Sequence, residues 1–86
     1  MALKIIGTQD GIEVQMRDAI LAALPGSEVQ VNAGGAGHYE IRVVSDAFRD
    51  LSRVKQHQAV YAAVAPFMDG DAPPVHAIDR LETLLP

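Results

Sequence analysis

Ser27-Glu28-Val29-Gln30-Val31, Asn32-Ala33-Gly34-Gly35-Ala36-Gly37 and His38-Tyr39-Glu40-Ile41-Arg42-Val43 form one continuous stretch whose pattern decides the fold. Val29 and Val31 share one face of the first run. Tyr39, Ile41 and Val43 stand opposite His38, Glu40 and Arg42 in the second. That two-residue period is the mark of half-buried strands. The glycine-rich segment between them predicts a turn, so residues 27–31 and 38–43 are expected to form a hairpin.

On the N-terminal side, Ile12, Met16, Ala19, Ile20, Ala23 and Leu24 recur at three-and-four spacing. Thr8 and Asp10 precede them, Glu13 follows Asp10 by three residues, and Pro25-Gly26 comes after them. A start, an apolar stripe and a stop predict a helix. On the C-terminal side, Ser45 or Asp46 can cap a short helix through 51. Ser52 can cap a longer one carrying Val54, Tyr61, Val64, Ala65 and Met68 on one stripe. Asp69-Gly70-Asp71-Ala72-Pro73-Pro74 stops that helix, residues 75–80 suit a third strand, and 81–86 suit a turn of helix. The order αββααβ is an α+β fold in which the helices cover one face of a three-stranded sheet. About thirty residues between the second and third strands leave room for a parallel crossover, so a mixed sheet is expected.

Composition narrows the function. Eighty-six residues make one domain, 1–86. Seven Lys and Arg against eleven Asp and Glu give a net charge of -4, which argues against coating nucleic acid or an anionic membrane through bulk charge. The longest near-apolar run, 59–68, falls short of the roughly 20 residues that a membrane span needs. After Met1-Ala2-Leu3-Lys4-Ile5-Ile6 the chain turns polar, so no secretory leader is expected and a cytoplasmic location follows. Cysteine is absent, which removes disulfides, thiol nucleophiles and thiolate metal sites.

Three histidines are then the best soft-to-borderline metal ligands in the chain. His38 opens the second strand on its polar face, as a solvent-facing residue or a ligand. His76 follows Pro73-Pro74-Val75 in the third strand, as a half-buried packing residue or a ligand. His57 sits among Arg53, Lys55, Gln56 and Gln58, where a polar helical face is the ordinary explanation. No two of them have zinc-protease or zinc-finger spacing, so His38 and His76 together make at most half a site. A pair of imidazoles on one iron is sound chemistry, as in Rieske centres. The remaining ligands would come from a partner.

Gly34-Gly35-Ala36-Gly37 matches a nucleotide-clamping glycine signature, but it lies between two strands and lacks the Lys and Ser or Thr of a phosphate loop. A hairpin turn is the better account. Arg49, Arg53 and Lys55 form the only local excess of positive charge, either a solvated face or a phosphate contact. No nucleophile elbow or placed acid-base pair points to catalysis.

Taken together, His38-Tyr39-Glu40-Ile41-Arg42-Val43-Val44-Ser45-Asp46-Ala47-Phe48, Leu51-Ser52-Arg53-Val54-Lys55-Gln56-His57-Gln58-Ala59-Val60-Tyr61 and Val75-His76-Ala77-Ile78 resemble the BolA family. The resemblance runs from about Ile12 to Pro86. The Ser-Arg-Val-Lys stretch leading to Val-Tyr is similar to the IbaG-like branch in particular. It implies a class II KH-like fold and a non-enzymatic accessory protein of iron-sulfur and redox homeostasis. Such a protein pairs with a monothiol glutaredoxin and shares a [2Fe-2S] cluster with it, the partner's cysteine and glutathione completing the ligand set. None is held alone, and the chain by itself is expected to be a monomer or weak homodimer. The strand histidine carries over to His76. His38 takes the second-ligand role of the loop between the first two strands, or else matches a framework histidine that begins the second strand. Other family members are DNA-binding transcriptional regulators of stress response that use the helix pair. That makes DNA the alternative partner here, through Arg49, Arg53 and Lys55. A third alternative is an interaction module whose histidines are merely packed. Three departures from the family pattern stand out: a thinner basic run, Lys55-Gln56-His57-Gln58, Asp50 where the family has a glycine, and an extended Met68 to Pro74 connection before the third strand.

Overall fold

The structure, a computed structural model, describes residues 11–86. The Thr8 and Asp10 start of the first helix lies outside the described residues. Helix α1 (Ile12–Ala23) leads into β1 (Glu28–Ala33) and β2 (His38–Val44). A 3-10 turn (Asp46–Phe48), α2 (Arg53–Val64), a second 3-10 turn (Ala65–Phe67) and β3 (Ala77–Leu84) follow. The strands form one sheet in the order β1-β2-β3, with β1 antiparallel and β3 parallel to β2. The mixed α+β sheet read from the sequence is therefore present.

Burial follows the predicted alternation. Tyr39, Ile41 and Val43 are buried, whereas His38, Glu40 and Arg42 are exposed. Met16 and Ile20 of α1, Val60 and Val64 of α2, Phe48 and Val75 complete the core on that one face. Apolar burial is the main driving force, roughly 1.5–3 kcal/mol for each large side chain. The other sheet face is polar and laced by charge, with Glu82 accepting from Arg80 at 3.0 Å and lying 3.7 Å from Arg42. Among the described residues, no helix is long and apolar enough to cross a membrane.

Several expectations need correction. The short helix expected through residue 51 is only one 3-10 turn, held by Ser45 Oγ accepting from Ala47 N. Beyond it Asp50 takes φ 73, which no helix continues through. The longer helix ends at Val64 rather than Met68, because Pro66 has no N–H to donate and turns the chain into 3-10 geometry. Its inward stripe is Val60 and Val64; Val54 and Tyr61 face outward, 63% and 40% exposed. The predicted third strand at 75–80 begins two residues later, and residues 81–84 continue it rather than forming a helical turn. They pair in register with Ile41 to Val44, while Leu84 O accepts from Ser45 N at 3.0 Å. Thr83, buried in that segment, donates to Gln56 Oε1 at 2.7 Å, and Gln56 Nε2 in turn donates to Leu51 O at 2.9 Å. One glutamine thus ties α2, the preceding loop and β3 together.

Candidate functional site

The chain doubles back on Gly37, where β2 begins and β3 approaches. Gly37 takes φ 75, a left-handed conformation natural to glycine. Its carbonyl accepts two N–H groups, His76 at 2.7 Å and Ala77 at 3.1 Å. A β-carbon on Gly37 would lie only 2.8 Å from His76 Cγ, so the imidazole rests against the bare α-carbon. Just before it, buried Val75 donates its N–H to Phe67 O at 3.1 Å. His76 is therefore an exposed residue on a fixed backbone, one position ahead of β3 rather than within it. The packing role that the sequence left open for His76 falls to Val75.

His38, the next residue after Gly37, pairs with Ala77 across the parallel ladder. It stands on the polar side of β2, as its alternation with Tyr39 requires. Its Nδ1 lies 3.0 Å from Asp79 Oδ1, the two side chains being 46% and 49% exposed. Sequence reading missed Asp79. The signal was there, because residues 77 and 79 share a strand face, but only the parallel register places that face beside His38.

The two imidazoles are thus brought to one end of the β2–β3 pair, each oriented by a different device. His57 is not part of this arrangement: it is half-buried on α2, and its Nε2 is enclosed without a hydrogen-bond partner among the described residues. Among the described residues no group of three His, Cys, Asp or Glu side chains could hold a metal ion. Imidazole nitrogens such as those of His38 and His76 are donors suited to zinc, copper, iron and nickel.

The basic trio divides. Both Arg49 Nε and a terminal nitrogen donate to Asp46 Oδ1, at 2.9 and 2.6 Å, so its charge is locally matched. Arg53 and Lys55 are exposed in the first turn of α2, behind a Ser52 cap that accepts from Lys55 N, and form no ion pair among the described residues. The glycine segment is a hairpin turn, closed by Gly34 N donating to His38 O at 2.8 Å and His38 N to Gly35 O at 3.1 Å.

Residues 21–84 match the family profile described as BolA-like protein. The chain belongs to the BolA family. A BolA relative in sequence is an uncharacterized protein of the rpoN-murA intergenic region of Acinetobacter guillouiae, 34% identical over 64 residues and spanning 74% of each chain. Two solved structures share the BolA fold. BolA1 from Arabidopsis thaliana is 22% identical at TM-score 0.73, and the BolA domain of SufE1 from the same plant is 24% identical at 0.75. Each alignment covers 90% of this chain and 94% of the other.

Proposed function

We propose that this BolA-family chain is a non-enzymatic accessory protein that binds a monothiol glutaredoxin and shares a [2Fe-2S] cluster with it. The observation that carries the reading is the pair of exposed imidazoles, His76 and His38, at one end of β2 and β3 in a chain without cysteine. His76 is the leading ligand, presented by the backbone bond to Gly37, and His38 is the second. The partner's thiolate and glutathione supply the sulfur ligands that this chain lacks. When bridged, the cluster supplies a one-electron redox centre and a cargo that can be passed on. The protein's own residues orient imidazole nitrogens and offer a docking surface around them.

The test is a titration of a reconstituted monothiol glutaredoxin cluster with this protein, followed by visible absorption and circular dichroism. A spectrum that changes, saturates at a defined ratio and reverts in His76→Ala supports shared ligation. An unchanged spectrum at large excess sinks the proposal. The alternative, a DNA-binding regulator, draws on Arg53 and Lys55 and predicts binding that weakens steeply with salt. The Arg49–Asp46 pair and the net charge of -4 count against it.

A further inference from the structure

We infer that Asp79 is a positioning residue for His38: it holds the ring with the proton on Nδ1 and leaves Nε2 as the lone-pair nitrogen offered to metal. The inference deepens the proposed shared-cluster reading and rests on it.

An ionised carboxylate only accepts hydrogen bonds, so the 3.0 Å contact between His38 Nδ1 and Asp79 Oδ1 requires Nδ1 to be the donor. In a neutral imidazole the other nitrogen then carries the lone pair. Metal-bound histidines recurrently donate their second nitrogen to a carboxylate in this way, which fixes both tautomer and ring orientation. The sheet itself arranges the contact. The β2–β3 ladder runs His38 to Ala77 and Tyr39 to Ile78, then skips to Glu40 with Arg80, leaving Asp79 as the extra residue of a bulge. Bulges re-aim side chains, and this one sets the carboxylate beside the first residue of β2. Neighbouring charge does not divert it: Arg80 donates to Glu82, and His38 is the sole ion-pair partner of Asp79 among the described residues. Both groups are half-exposed, so an incoming partner can reach the ring without displacing the core.

The experiment has two arms on the full chain. Long-range nitrogen–proton NMR of the imidazoles, at mildly alkaline pH where model imidazoles are neutral, reads the tautomer without any metal. The expected result is Nδ1–H at His38 in the wild type, a shift towards Nε2–H in Asp79→Ala and recovery in Asp79→Glu. The second arm titrates the loaded monothiol glutaredoxin. Asp79→Ala should weaken the cluster-dependent association about 10- to 100-fold, the usual loss when such an outer partner is removed. In a His38→Ala background the same change should add nothing. An unchanged His38 tautomer in Asp79→Ala overturns the inference, as does a loss on His38→Ala with none on Asp79→Ala. If the wild type leaves the cluster spectrum untouched, the shared-cluster reading fails, and the tautomer arm still decides whether Asp79 sets the His38 proton.

Discussion

Gly37→Ala should damage this protein more than any other glycine-to-alanine change in a turn of the described residues, and the excess can be worked from geometry. Gly26 supplies the reference: its φ is 83 and an added β-carbon meets nothing within 4 Å. Alanine there incurs only the left-handed backbone cost, about 1–2 kcal/mol. Roughly 0.4–1 kcal/mol returns through a less flexible unfolded chain, for a net loss near 1 kcal/mol. Gly37 has a similar φ of 75, but its β-carbon would approach His76 Cγ at 2.8 Å and Nδ1 at 3.0 Å. That is roughly 1 Å inside an ordinary carbon contact. His76 cannot retreat along its backbone, because its own N–H and that of Val75 are both engaged. The ring must rotate away, and overpacking of this kind costs about 1–3 kcal/mol. The total for Gly37→Ala is therefore about 2–4 kcal/mol. With a urea dependence near 1 kcal/mol per molar for so small a chain, the midpoint should fall by about 2–4 M, against about 1 M for Gly26→Ala. Far-ultraviolet circular dichroism would measure both. In a His76→Ala background the ring is gone, and the Gly37→Ala loss should shrink to the Gly26→Ala value. Equal losses for the two glycines in the wild-type background would refute the contact between Gly37 and the imidazole.

Three further outcomes follow from other sites. Asp50 holds the left-handed φ of 73, so Asp50→Gly should stabilise the fold by roughly 0.5–1 kcal/mol in urea denaturation, and Asp50→Val should destabilise it. Gln56→Ala strands the buried Thr83 hydroxyl and should cost about 1–3 kcal/mol, whereas Gln56→Ala with Thr83→Val should recover part of that loss, because no orphaned hydroxyl remains. His57→Leu removes an enclosed nitrogen that has no partner among the described residues and should stabilise the fold by about 1 kcal/mol in chemical denaturation; a loss of stability would mean that this nitrogen has a partner.

Much of the architecture was legible because its signals are local. The α1 stripe needs only its own sequence, and Met16 and Ile20 are buried as its spacing demands. The β1–β2 hairpin likewise declares itself by alternation and by glycines. What failed to show depends on distant partners. Asp79, Arg80 and Glu82 make the C-terminal segment look irregular until the charged face of β2 is laid beside it, and the bulge after Ile78 breaks its period. The α2 helix buries little more than Val60 and Val64, so Val54 and Tyr61 offered an equally good stripe. The histidines were visible as candidates from residue type alone. His38 and His76 could be paired on residue type, but their placement beside Gly37 and Asp79 could not be read, because those residues meet only through the parallel register.

That parallel register also sets a timetable for the newborn chain. β2 is complete at Val44, yet its second neighbour ends at Leu84. At about 5–20 residues per second, translation leaves the central strand with one open edge for roughly 2–8 s. A bare strand edge is a template for pairing with other chains. Glu40 and Arg42, exposed on the outer face of β2, interrupt its apolar run with charges that oppose such pairing. The same residues that face water in the finished fold therefore guard the strand while it waits on the ribosome.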